Sequence, residues 1–463
     1  MPMAGTSSVG FNRYALSAVV FVIGSGVAVS AERPASNLKA GRTAYEQSCA
    51  RCHGVNGEGD GVDAKRFYPR PRNFKLGAYK FRTSVSDVPP TDEDLFHTIT
   101  YGLPGTNMPD WQHFDETTRW QLVDYLKSLS PRFQESRPKP VPIKETGPTP
   151  DLTKGKTLFQ KFGCVACHGP NGRANGTSAA GLVDDWGMPI RPANLTQGWA
   201  YRGGSDPRSI VFRVMAGIEG AGMPSFAEAI SEDDAWQMAY YVQSLQEPAQ
   251  WNMIAHAKVV GSLPETATDP RWALAERTNV RLRHAVNATG EWVVPPTVQS
   301  VAVQIMANDK DAVFRLTWDD PTQDENTPHD GLAVLLKPAG SQGDVVTLQA
   351  WPYDGAPALD LCYWSAETGQ AFETIATEYD SVLARQTPQA LVTSTATYED
   401  GRWTLLLRRP LERTSPDAAA VIARDGLTAM AFAVWDGGNP KARAVSPWID
   451  ISVRSGHAPS HAR

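Results

Sequence analysis

Cys49-Ala50-Arg51-Cys52-His53 and Cys164-Val165-Ala166-Cys167-His168 share one spacing, Cys-x-x-Cys-His, and the reading of these two stretches decides how the first half of the chain folds. Four of the five cysteines lie in them. A bare Cys-x-x-Cys is ambiguous, because thioredoxin-type redox pairs and half-sites for zinc use the same spacing. The histidine that follows both copies separates these readings. In Cys-x-x-Cys-His the two thiols form thioethers with the vinyl groups of a haem and the adjacent imidazole ligates its iron. Zinc would need a second ligand pair in each domain, and none stands at suitable spacing. Cys49, Cys52, Cys164 and Cys167 are therefore the expected attachment points of two covalent haems, with His53 and His168 as proximal ligands. Cys362, left over in a strand-like run, reads as a small buried hydrophobe.

The repeat extends well beyond the cysteines. Each motif follows a short helical stretch, Gly41 to Gln47 and Gly155 to Lys161, with Tyr45 and Phe159 on the apolar face. Tyr-Gly-Leu-Pro-Gly-Thr-Asn-Met-Pro, ending at Pro109, matches Ala-Gly-Ile-Glu-Gly-Ala-Gly-Met-Pro, ending at Pro224, and the step from motif His to Met is 55 residues in both copies. A thioether is a soft ligand, and glycine lets the backbone approach closely, so Met108 and Met223 are the expected distal ligands. The alternative is a core methionine. Met188 is the rival in the second copy, but it falls before Arg191-Pro192-Ala193-Asn194-Leu195, the counterpart of Arg70-Pro71-Arg72-Asn73-Phe74, where a haem-lining role is expected. A closing amphipathic helix follows each loop, with Trp120 and Tyr125 matched by Trp236 and Tyr241.

These residues resemble class I c-type cytochromes over Ala31 to about Gln246. The resemblance implies two all-α domains, 32–133 and 151–248, each wrapping one haem for electron exchange. It also implies that a proline-containing loop, around Pro69 to Pro71 and Pro192, lies beneath each haem and holds the proximal histidine through a backbone carbonyl. Which proline does so stays open. The Pro-, Lys- and Glu-rich stretch between the copies, with the linker at 134–150, has little to bury and is expected as an extended tether.

The bulk properties agree with a multidomain chain: 463 residues are too many for one core, and a formal charge of −6 without long charge runs favours neither nucleic acid nor an anionic membrane as partner. Arg13, the apolar stretch Ala15 to Val29 and Val29-Ser30-Ala31 predict a secretory signal over 1–31 and a periplasmic mature protein. No later segment is long and apolar enough to span a bilayer.

From about Pro248 the composition turns to β-rich runs, Ser300 to Met306, Ala312 to Trp318, Leu332 to Lys337, Trp403 to Arg408 and Thr428 to Trp435, which predict an all-β sandwich over 249–455 before a tail, 456–463. Asp269-Pro270-Arg271-Trp272, Phe314 to Thr322, Leu361-Cys362-Tyr363-Trp364 and Ala433 to Asn439 resemble the haem-binding subunit domain of ethylbenzene dehydrogenase and related molybdenum enzymes. That resemblance implies a b-type haem held by Met and Lys. Here the Met position reads Trp351 to Pro357 with no Met, and Arg443 stands at the Lys position with Lys441 two residues away. A guanidinium has no lone pair for a metal, so two c-type haems are expected and a third, b-type haem is not. Met306 and Met430 read as core.

Three functions follow. The first is a non-catalytic electron carrier, free or as the cytochrome subunit of a molybdenum oxidoreductase with an iron-sulfur subunit. The second is a dihaem peroxidase, against which two Met-Pro loops argue because a peroxidase needs an open iron position. The third is a sandwich that docks a partner and carries the haem domains as cargo.

Overall fold

The computed structural model describes residues 33–85, 87–184, 187–284, 297–326, 329–337, 359–376, 392–412, 420–437 and 443–454. The signal stretch, Trp186, Trp351 to Pro357, Lys441 and the tail lie outside them. Residues 1–35 form one unit and 36–463 another; the second is described below.

The first haem-motif domain runs α1 (Leu38–Ser48), α2 (Ala50–His53), α3 (Asp92–Tyr101), α4 (Glu116–Ser128) and α5 (Arg132–Glu135). The second repeats it as α6 (Leu152–Lys161), α7 (Val165–His168), α8 (Pro207–Ala216) and α9 (Glu232–Ser244). Opening helices start earlier than the apolar pattern predicts because Asn37 and Asp151 cap them, each accepting a hydrogen bond from a backbone N–H three residues on. In both copies the opening helix crosses the closing one at a glycine. A Cβ on Gly41 would fall on Gln121 O, and one on Gly155 on Gln237 O. Tyr45 beside Tyr125, and Phe159 beside Tyr241, fill the crossing on its inner side.

The linker departs from expectation. Val141 is buried in the second domain's core, its N–H donates to Thr83 O of the first at 2.7 Å, and Lys144 N donates to Glu232 Oε1 at 2.7 Å. The segment is thus a strap pinned to both domains, because it carries apolar residues among its prolines that find a place to bury.

The β-rich half holds β1 (Ile254–Val259), β2 (Thr278–Arg281), β3 (Arg283–His284), β4 (Ser300–Ala307), β5 (Asp311–Asp319), β6 (Gly331–Leu336), β7 (Leu359–Ser365), β8 (Ala371–Ala376), β9 (Thr393–Tyr398), β10 (Arg402–Pro410), β11 (Leu427–Trp435), β12 (Arg443–Val445) and β13 (Ile449–Val453). They lie in the order β8-β7-β6-β11-β13-β1-β4-β5-β10-β9, and β1 belongs to both halves of that path: Ile254 to Ala257 pair with β13, Lys258 and Val259 with β4. Folding the path at β1 brings two sheets face to face over one core of Phe314, Leu316, Trp318 and Leu405 against Val334, Trp364, Phe432 and Ile451. At the far edges Ala371 N donates to Ser394 Oγ at 2.8 Å, so the sandwich is nearly closed. Cys362, Met306 and Met430 are buried in its cores, as expected. Among the described residues no helix is long and apolar enough to cross a membrane.

Candidate functional site

The last turn of α1 runs into Cys49, and α2 carries Cys52 and His53 forward with His53 N bonded to Cys49 O at 2.9 Å. Gly54, at φ +82°, then reverses the chain. Phe74 N donates to Gly57 O at 2.7 Å, which draws the proline loop under the motif and sets Arg72 O 3.0 Å from His53 Nδ1. The second copy repeats every step: His168 N meets Cys164 O at 2.9 Å, Leu195 N meets Gly172 O at 2.6 Å, and Ala193 O lies 2.9 Å from His168 Nδ1. A carbonyl can only accept, so each ring carries its proton on Nδ1 and turns the lone pair of Nε2 outward as a metal ligand. The prolines left open in the sequence are thereby assigned: the carbonyls follow Pro71 and Pro192.

Burial pushes the His53 imidazole down to about 4 and lowers His168 as well, which keeps both rings neutral. Burial also raises the Cys49 thiol to about 12 and that of Cys164 to about 11. A redox dithiol needs a lowered thiol pKa, so the thioredoxin reading fails on chemistry as well as on sequence.

Met108 and Met223, both half-buried, sit in equivalent loops. Leu103 N donates to Met108 O at 3.1 Å and Ile218 N to Met223 O at 2.9 Å. Gly102 and Gly217 end the preceding helices at φ +65° and +68°, where a Cβ would strike the Met-Pro backbone. The close approach that glycine permits is therefore of the loop to itself. Met188 lies elsewhere, in a turn closed by Asp184 N to Met188 O at 2.9 Å.

Whether these residues suit a haem is tested by what they leave unsatisfied. In the first domain Tyr79 OH and Trp111 Nε1 are buried donors with no partner, and Tyr79 joins His53 through Phe74 in a run of stacked rings. Two buried donors with nothing to bond suit a carboxylate-bearing macrocycle. With two thiols, a neutral imidazole and a thioether, the donor set fits an iron porphyrin.

Two contacts that sequence reasoning missed hold the haem-motif domains in place. Glu219, inside the second Met loop, accepts from Arg82 Nη1 at 2.6 Å and Arg132 Nη1 at 3.0 Å of the first domain. Asp319, at the end of β5, accepts from Asn194 Nδ2 at 2.7 Å and pairs with Arg402 at 2.6 Å. Burial pushes Asp319 up, but Arg402, Arg173 and Asn194 outweigh it and hold the carboxyl below its usual range. Asn194 follows Ala193, the residue that holds His168, so the sandwich grips the proximal loop of the second centre. The one signal available was the Arg-Pro-x-Asn repeat, in which Asn73 and Asn194 match while only Asn194 faces a sandwich.

Residues 36–126 match the family described as cytochrome C oxidase, cbb3-type, subunit III; residues 152–246 match cytochrome c; residues 369–443 match ethylbenzene dehydrogenase. The chain is 27% identical to the Cbb3-type cytochrome c oxidase subunit CcoP of Azospirillum sp. (strain B510) over 45% of its own length and 62% of that relative, so it spans about three-fifths of it. It is 25% identical to a protein of Haloferax mediterranei named as a respiratory nitrate reductase haem subunit, over 42% of this chain and 70% of that one. Among solved structures, the Kuenenia stuttgartiensis reducing HAO-like protein complex Kustc0457/Kustc0458 aligns over 47% of this chain and 100% of that chain at 40% identity, with a TM-score of 0.44. Fold and motif thus define the class, a pair of cytochrome c domains. The chain carries two cytochrome c domains followed by an ethylbenzene-dehydrogenase-like domain.

Proposed function

We propose that this protein is a periplasmic electron carrier in which Cys49 and Cys52 bind one haem, ligated by His53 and Met108, and Cys164 and Cys167 bind a second, ligated by His168 and Met223. The observation that carries the reading is the doubled geometry: each motif histidine is tied through Nδ1 to a loop carbonyl, and each domain presents a methionine from the same glycine-ended loop. When bound, each haem supplies a one-electron couple. The chain's own residues keep the imidazoles neutral and oriented, and lock the two domains together through Glu219. The named nitrate reductase relative and the ethylbenzene dehydrogenase match favour a molybdenum oxidoreductase, with an iron-sulfur subunit as relay, as the redox partner. The sandwich's grip on the second domain favours a docking part for it, with no haem of its own.

The test is the haem content of the full-length protein. Two haems should survive acid-acetone extraction, because thioethers persist where coordination bonds do not, and Cys49→Ala with Cys52→Ala should leave one. An extractable b-type haem at one per chain would overturn the two-haem count. Loss of both covalent haems from a folded double variant would overturn the domain assignment.

A further inference from the structure

Asp320 directly follows β5, Asp330 directly precedes β6 and Asp436 directly follows β11, so the topology brings three strand ends, distant in sequence, to one corner of the sandwich. The three side chains are 0%, 0% and 6% exposed, and one ligand oxygen from each lies within 4.8 Å of the other two. Their hydrogen bonds account for only part of their oxygens. Asp330 accepts from Gly437 N at 2.8 Å on Oδ1, and from Asp324 N and Trp403 Nε1, both at 3.0 Å, on Oδ2. Asp436 Oδ2 accepts from Thr297 N at 2.7 Å and Thr297 Oγ1 at 2.6 Å. Asp320 Oδ1 accepts from Thr322 N and Oγ1, but Asp320 Oδ2, fully buried, has no donor at all. Among the described residues no Lys, Arg or His pairs with any of the three. Gathering three carboxylates out of water without a cation is strongly unfavourable, and a buried acceptor with no donor adds to that.

We infer that Asp320, Asp330 and Asp436 form a binding site for one calcium ion. Oxygens that each sit about 2.4 Å from a common Ca2+ lie at most about 4.8 Å apart, the limit these three meet. The donors are all hard oxygens, with no thiol or imidazole in the cluster, which suits calcium over zinc. Calcium's flexible shell of six to eight ligands accepts an irregular set, completed by water or main-chain carbonyls, where magnesium demands a near-octahedron. The site adjoins the domain contact, since Asp320 is the neighbour of Asp319. The bound ion would hold rigid the corner from which the sandwich grips Asn194 and the second haem-motif domain.

The experiment uses full-length protein carrying its haems, stripped with EGTA and returned to buffers containing Ca2+ or Mg2+. Calcium at about a hundredfold its dissociation constant should raise the thermal midpoint of the chain by roughly 5–10 °C, magnesium at the same concentration by less. One calcium per chain should remain by elemental analysis after gel filtration in micromolar calcium. Asp436→Asn and Asp320→Asn should each abolish most of the shift. In EGTA, Asp320→Asn should be at least as stable as the unaltered protein, because it removes like-charge repulsion while keeping shape. No calcium-dependent shift up to millimolar concentration would overturn the site. So would a shift that persists in both variants, or an Asp320→Asn protein equally destabilised with and without calcium.

Discussion

A neutral imidazole that donates Nδ1–H to a main-chain oxygen has one lone pair left, and its direction is set by the loop that supplies the oxygen. At His53 and His168 that oxygen belongs to Arg72 and Ala193, so side-chain changes at 72 or 193 leave it in place. Residues that position the loop should matter more. Asn194 Oδ1 accepts from Thr196 N at 3.0 Å while its Nδ2 reaches Asp319; the matching Asn73 Oδ1 accepts from Lys75 N at 3.0 Å. Asn194→Ala is expected to cost about 1–3 kcal/mol by leaving a buried charge underbonded and to shift the potential of the second haem alone in a spectroelectrochemical titration. An equal shift in both haems would contradict a local positioning role. On the distal side, thioether ligation raises the potential relative to bis-imidazole ligation. Met108→His and Met223→His should therefore each lower one haem's potential and shrink the weak red-edge band of the ferric spectrum. If Met188→Ala removes half of that band and Met223→Ala leaves it unchanged, the assignment of the second ligand is wrong. The two Cys-x-x-Cys-His stretches stand out in the sequence because the covalent chemistry proposed for them fixes their spacing. Tyr79, Trp111 and Asn194 do not, because a donor's role depends on which distant acceptor the fold brings to it.

Among the elements, the helix crossings are the least forgiving. Interior glycine costs a helix roughly 1 kcal/mol relative to alanine, yet at Gly41 and Gly155 there is no room for a methyl against the backbone of α4 or α9. Gly155→Ala should thus destabilise by about 1–3 kcal/mol or more through overpacking, seen as a lowered thermal midpoint and a reduced yield of covalently attached haem. A neutral or stabilising result would mean that the helices do not cross as described. The strands β4, β5, β6, β10 and β11 lie within a residue or two of the apolar runs that predict them, since strands of the sandwich core bury most of their side chains. By contrast β1, Ile-Ala-His-Ala-Lys-Val, and β9, Thr-Ser-Thr-Ala-Thr-Tyr, carry too little apolar signal to be read alone. They become strands because long-range partners offer backbone hydrogen bonds. The strap from 134 to 150 was misread for the converse reason: its composition is that of a tether, and only the two domains together create the places where Val141 and Lys144 bind.

Among the described residues, partly buried ion pairs join the three domains. Arg82 is almost wholly enclosed and its charge is met by Glu219. Removing one partner of a buried pair leaves the other uncompensated, a loss of about 3–5 kcal/mol. Glu219→Ala should accordingly separate the melting of the two cytochrome domains in calorimetry, where the intact protein is expected to melt them together. Asp319→Ala should similarly free the sandwich, since Arg402 and Arg173 both turn to that carboxylate. A single unchanged transition in either variant would mean that apolar contacts hold the domains together. None of these pairs was legible in advance, because their members stand more than 80 residues apart. The shared strand β1 carries one more implication, and it concerns order in time. β1 is the first strand of its domain to be synthesised, yet four of its six residues pair in parallel with β13, the last. Closure of the sandwich must wait for nearly the whole polypeptide, and so long-range a pairing forms slowly. Cys164 and Cys167 emerge some 280 residues before Ile449, so the haem attachment proposed for them has a window in which the second cytochrome domain stands open, before the sandwich arrives to cover its proximal loop.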